Sequence, residues 1–174
     1  MQFNFCDFLE SCLYMSRRHT FADKEFDKED YDPQDQGEFE LGLVFVIMPF
    51  QGQEMTNVYT AIKDECRKLG LNVIRVDENY GSGLIIREVI ELIERAEFII
   101  CDLSNERPNV YYELGYAHGV GNESTEILLI AKEGTILHFD IAPFRVKYYS
   151  STEHLRQIIF SSLEHMIKIS RQNS

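Results

Sequence analysis

The chain has 174 residues, 44% hydrophobic and 12% aromatic, enough for one well-buried core and too few for two ordinary domains. Its formal net charge of -12 excludes non-specific binding to a nucleic-acid polymer or an anionic membrane, since both need a basic face. The longest apolar stretches are strand-sized, so no segment is expected to span a bilayer, and no secretion signal is recognisable at the N-terminus.

Residues 1–40 carry 11 acidic residues against 4 basic ones, most of the acids between Asp23 and Glu40. They read as an acidic N-terminal extension, set apart from an α/β domain over 41–174. Phe3 to Met15 is apolar-rich and predicts one short helix, either a docking helix or part of a solvated tail. Cys6, Cys12, Cys66 and Cys101 share no metal-ligand or CxxC spacing. They are expected to be reduced cysteines of a cytoplasmic protein.

From Leu43 the pattern changes. LVFVIM (43–48) is a continuous apolar run, as in a strand buried on both faces. Val58, Ile62, Cys66 and Leu69 recur at helical spacing within 55–69, and Gly70 is placed to end that helix. LNVIRV (71–76) predicts a second strand. Ile86, Val89, Ile90, Ile93 and Ala96 mark a second helix, FIICDL (98–103) a third strand, and 110–120 a third helix. EILLIA (126–131) and FRVKYY (144–149) predict two more strands. A final amphipathic helix is expected over 152–169, with Leu155, Ile158, Ile159, Leu163 and Met166 on one face. Strands alternating with helices through short connections imply right-handed βαβ units. The fold expected is a flavodoxin/Rossmann-like parallel sheet of about five strands with helices on both faces.

In such folds ligands bind beyond the carboxyl ends of the strands, so the loops after Met48, Val76 and Asp102 are those to inspect. The last is the richest: Asp102 at the strand end, Ser104 and Asn105 as turn formers, then Pro108-Asn109 opening a helix. Asn109 suits an N-cap, with Glu113 one turn further on. There the helix dipole favours an ionised, nucleophilic carboxylate, and Tyr112 beside it could border a ligand. The alternative is that Glu113 only pairs with a base on the helix surface. Asp77 and Glu78 follow the second strand, where ligand hydroxyls would arrive. Ser82 and Gly83, in a Gly-Ser-Gly turn, offer free amides for a phosphate, although so short a turn is a weak signal and a plain loop is the better reading of it. After the first strand, Met48-Pro49-Phe50 offers Phe50 as a lid or a stacking ring.

Other chemistries are poorly supported. The glycines match neither GxGxxG nor the phosphate loop, no His/Cys cluster suits a metal, and no GxSxG elbow is present. Neither a cofactor nor a metal is expected, and His118, five residues beyond Glu113, reads as a helix histidine satisfied by its neighbours.

The combination VFVIMPF, RVDE and CDLSNERPNVYYELGYAHG, closed by FDIAPFRVKYY, resembles a bacterial branch of the nucleoside 2-deoxyribosyltransferase-like superfamily, itself similar to TIR-like domains. The resemblance covers about residues 43–167. It implies that Glu113, the Glu of the "ELG" block, is a nucleophile that attacks the anomeric carbon of a nucleoside, nucleotide or NAD. Asp102 and Asp77 would orient sugar hydroxyls or help protonate the leaving base. Met48, Phe50, Glu78, Ser82, Gly83, Ser104, Asn109 and Tyr112 are the expected substrate contacts. The family's further upstream Asp is replaced here, near Val89, with Glu88 and Asp102 the acids at hand. The resemblance also implies a homo-oligomer or docking on a larger protein, and a setting in anti-phage defence. The competing expectations are a nucleotide-sensing module using the same pocket without catalysis, and a scaffold domain.

Overall fold

The computed structural model describes residues 39–50, 52–76, 85–122, 126–141 and 143–172. The expected helix over 3–15 and four expected site residues, Asp77, Glu78, Ser82 and Gly83, lie outside them. In chain order the elements are β1 (Glu40–Ile47), α1 (Gln53–Lys68), β2 (Asn72–Ile74), α2 (Ile85–Arg95), β3 (Ala96–Asp102), α3 (Pro108–Gly119), β4 (Ile127–Lys132), β5 (Val146–Tyr149) and α4 (Thr152–Gln172).

All strand pairings are parallel, and the sheet order is β2-β1-β3-β4-β5. The strand order reverses between β1 and β3, so a crevice is set up beyond their carboxyl ends. Side-chain alternation along β3 divides the core into two layers. Phe98 and Ile100 join Val44, Val46 and Met48 under α1 and α4. Ile99, Cys101 and Leu103 join Phe45 and Ile47 under α2 and α3. With helices on both faces, β3 is buried along its whole length, which is why it reads as an unbroken apolar run.

Local chemistry sets the element boundaries. At the end of α1, Gly70 takes φ +74°, its N–H bonds the Arg67 carbonyl and the Leu71 N–H bonds the Cys66 carbonyl. This is a Schellman closure, which needs a left-handed residue and so favours glycine. β1 starts earlier than its apolar run suggests, through an irregularity between Glu40 and Val44 in which Gly42 has φ +82°. The Gly42 N–H freed there donates to Glu97 Oε2 at 2.6 Å. Glu97 is 2% exposed and also accepts from Ser170 and from both terminal nitrogens of Arg171, so the end of α4 is fastened to the start of β3. Nearer the start of α4, Arg156 donates to Asp64 and Glu65 of α1.

Two local expectations are corrected. Ala96, placed at the end of a helix by its spacing, is the first residue of β3, and α2 passes into β3 with no connecting residue. Asn109 is not the N-cap of α3: Arg107 holds that place and Pro108 is the first helical residue. Proline suits that first position because its missing N–H would have had no partner there. Among the described residues no helix is long and apolar enough to cross a membrane.

Candidate active site

Glu113 is the sixth residue of α3, on the helix that follows the switch-point strand. α3 buries Val110, Leu114 and Ala117 against the α2-side layer, and Glu113, adjacent in helical angle to Val110 and Ala117, is half-buried with them. Burial pushes its carboxyl up to about 7, and a hydrogen bond from the Asn109 side chain, four residues earlier, acts in the opposite direction. This corrects the expectation that the helix dipole keeps Glu113 ionised. The dipole acts within the first turn, where the N–H groups are unsatisfied, and a residue one turn deeper is governed by desolvation. A carboxyl that titrates near neutrality is available both as a nucleophile and as an acid. Asn109 is thus the partner of Glu113 rather than a cap, and the i, i+4 spacing is the signal that identifies it.

Around this carboxyl, Tyr112 is 55% exposed on the outer side of α3. Tyr116, one turn on, donates to Glu94 of α2 at 2.5 Å. Tyr111 meets His138 edge-on at 5.3 Å between ring centres, and its buried hydroxyl has no partner among the described residues. His118 stacks on Phe144 at 5.0 Å, and burial lowers its pKa. The residues between β4 and β5 therefore pack on α3 through two aromatic contacts.

Asp102 ends the same strand yet is not brought beside Glu113. Alternation along β3 turns it to the α1/α4 side, in step with Phe98 and Ile100. It is fully buried there: Oδ1 accepts the Ser104 N–H at 2.8 Å and Oδ2 accepts the Tyr149 hydroxyl at 3.1 Å. Burial raises its pKa, and the bonds from Ser104 and Tyr149 oppose that rise. Ser104 is 3% exposed; its Oγ lies 3.3 Å from the Tyr149 hydroxyl and accepts the Lys132 N–H at 2.8 Å. Glu113 faces the opposite layer, close enough to Cys101 to raise that thiol's pKa, after burial and the charge of Asp102.

Met48 is 1% exposed in the α1-side core, so it presents almost no surface to a ligand. Its sulfur lies 3.8 Å from a terminal nitrogen of Arg75. The Arg75 guanidinium lies 4.1 Å from the Tyr59 ring centre and 5.6 Å from that of Phe50, which is 39% exposed. Phe50 and Asn109 thus remain open to a ligand, while Met48, Asp102 and Ser104 are interior residues. Sequence reasoning missed Tyr149, whose only signal was its place at the carboxyl end of the last strand. Val89, at the position of the expected upstream acid, is 3% exposed in the core. Among the described residues no group of His, Cys, Asp and Glu side chains is arranged to hold a metal.

No family model matches the chain. No curated protein matches it in sequence either. Several solved structures share its architecture. A 2-deoxyribosyltransferase from Bacillus psychrosaccharolyticus superposes with a TM-score of 0.54 at 18% identity, over 70% of this chain and 95% of that one. A CMP N-glycosidase from Clostridium botulinum gives 0.51 at 16% identity, over 66% of this chain and 95% of that one. A flavoprotein from Thermotoga maritima gives 0.54 at 15% identity, over 75% of this chain but only 38% of that one. The likeness is one of fold. At these identities it establishes a doubly wound parallel sheet, a scaffold that serves unrelated chemistries.

Proposed function

We propose that the chain cleaves the bond between base and sugar in a nucleoside, nucleotide or NAD, with Glu113 as nucleophile. The observation that carries this reading is the half-buried Glu113 carboxyl, raised to about 7 and bonded by Asn109, on the helix after the switch-point strand. Two of the structures with this fold act on nucleosides or nucleotides, and their chains are almost wholly covered, whereas the flavoprotein is covered over little more than a third. The ELG block at 113–115 adds its weight to the same side.

In the proposed reaction a Glu113 oxygen attacks the anomeric carbon as the C–N bond breaks, and the electron pair of that bond leaves with the base. The base takes up a proton, and the sugar remains as an ester of Glu113. Water then attacks the same carbon, releasing the carboxylate and the free sugar; a second base in place of water would make the protein a transferase. Because attack requires the ionised carboxylate, a carboxyl pKa near 7 divides the enzyme between competent and incompetent forms at neutral pH.

A second reading has an observation of its own. Val89 lies in the core where the resemblance would put an acid, and Asp102 faces the other layer. A nucleotide-sensing module would need Glu113 and Asn109 to bind a ligand without any second acid. Chromatography of released base over a panel of deoxynucleosides, their monophosphates and NAD separates the two. Base release from any of them, abolished in Glu113→Gln, supports the enzyme. Saturable binding with no release from the whole panel supports the sensor.

A further inference from the structure

Arg75 follows β2 in the same phase as Val73, which lies in the α1-side core, and it is itself only 8% exposed. An apolar residue there would fill that layer without the desolvation that a guanidinium incurs. What the arginine brings instead is contact with soft and flat groups. Its guanidinium carbon lies 4.1 Å from the centre of the buried Tyr59 ring and 5.6 Å from that of Phe50, and a terminal nitrogen lies 3.8 Å from the Met48 sulfur. Tyr59 is also met from its own helix, by the Lys63 ammonium at 5.4 Å. Arg75 thus bridges a fixed ring on α1 to the residues that follow β1.

Phe50 is the outer member of this set. Met48 and Pro49 before it are buried, whereas Phe50 is exposed just beyond the carboxyl end of β1. β1 is one of the two strands that flank the switch point, so this ring stands at the rim of the crevice. An exposed phenylalanine ordinarily exchanges between rotamers. One that lies against a guanidinium, itself laid on a buried ring, keeps the orientation that this contact sets. The side of the ring turned away from Arg75 then offers a flat apolar surface, of the kind on which nucleobases stack.

We infer that Arg75 is a positioning residue for base recognition: its guanidinium, bridging Tyr59 to Phe50, holds the Phe50 ring as the platform on which the nucleobase of the ligand stacks. The planar head is what matters, because an ammonium attracts a ring without fixing its plane. A platform of this kind meets the π-face that every base has, so purine and pyrimidine ligands both feel it. The inference rests on the proposed reading of the site as one for a nucleoside or nucleotide, but not on Glu113 acting as its nucleophile.

The test is calorimetric titration of the full chain carrying Glu113→Gln, so that the ligand stays intact. The probes are deoxyadenosine monophosphate, deoxycytidine monophosphate and the base-free deoxyribose phosphate. Phe50→Leu is expected to weaken both nucleotides about tenfold. Arg75→Lys and Arg75→Met are each expected to weaken them about fivefold, with the base-free ligand unchanged. Phe50→Leu combined with Arg75→Lys is expected to lose no more than Phe50→Leu alone, since Arg75 acts through that ring. A merely structural Arg75 would weaken the base-free ligand as well and add in full to Phe50→Leu, and either result overturns the inference. So does a failure of both nucleotides to saturate, or a Phe50→Leu variant that binds them undiminished. Undiminished binding by Arg75→Lys overturns it too, since the charge and not the plane would then be at work. Should Arg75→Met fail to fold, Arg75→Lys and Phe50→Leu decide. Base release is judged apart, by chromatography of the wild type: nucleotides that bind through Phe50 with no release anywhere in the panel overturn the nucleophile and leave this inference standing.

Discussion

Glu113 concentrates what a single residue contributes here. Replacing it with Gln keeps the shape and the bond to Asn109 but removes the attacking charge, so base release should fall by about 10³-fold or more. Nucleotide affinity, read by titration, should change by much less than that. The same variant also tests the carboxyl's burial. Its folded pKa of about 7 lies above the ordinary 4.5, so the native state binds more protons than the unfolded chain between those values. The stability that wild type owes to this group is therefore present below pH 4.5 and is lost as pH rises towards 7. Glu113→Gln never undergoes that loss. Its melting temperature relative to wild type should climb across this window and level off above it, and a difference flat with pH would show that Glu113 titrates normally. The residue's position and its role as a candidate were legible in the sequence; its ionisation was not, because burial depends on how α3 lies on the sheet. Asp102 shows the same limit from the other side. Its place at the end of β3 could be read, yet which face it takes follows from alternation in a strand with no polar side to reveal it.

At the scale of elements, apolar runs and helical spacing identified five strands and four helices within residues 40–172. The boundaries were less legible, for reasons particular to each. β1 begins at Glu40, ahead of its apolar run, because Gly42 introduces an irregularity. Only Asn72–Ile74 of the stretch 71–76 is paired, because β2 is an edge strand bonded on one side alone. Gly70 was readable, since a glycine after a run of helical spacing carries its own explanation. A Cβ there meets no atom within 4 Å, so Gly70→Ala tests backbone conformation by itself. It should cost about 1 kcal/mol, seen as a lower urea midpoint with an unchanged slope. A neutral result would mean that α1 ends without the left-handed residue.

At the scale of the whole molecule, closure depends on one buried carboxylate. Burial alone would raise Glu97, but bonds from Arg171, the Gly42 N–H and Ser170 hold its carboxyl below the usual range. This stabilisation is present above the ordinary carboxylate pKa and is lost as pH falls through the lowered one. Arg171→Met should therefore destabilise the domain by about 2 kcal/mol at neutral pH, discounted because the arginine is partly exposed. The loss should shrink in acid, which urea titrations at two pH values would detect. Assembly is the other question at this scale. Ile136 and Phe139 are 81% and 67% exposed in the connection between β4 and β5. Solvent-facing residues of this size mark contact surfaces when they cluster. We expect at least a homodimer by sedimentation, and a stable monomer at all concentrations would count against it.

The alternation of β3 has a consequence for how this edge of the sheet can change. Cys101 and Asp102 are neighbours in sequence but belong to opposite layers, so inserting or deleting one residue between 96 and 101 exchanges them. Such a shift would carry the Asp102 carboxylate into the layer of Glu113 and strand the Tyr149 hydroxyl without its acceptor. Point substitutions cannot make that move, because they alter a side chain without turning the strand. The acid that ends the strand before α3 is therefore separated from Glu113 by a change of strand phase, and a chain that acquired that change would gain a second carboxylate at the site while losing the bond that Asp102 now accepts from Tyr149.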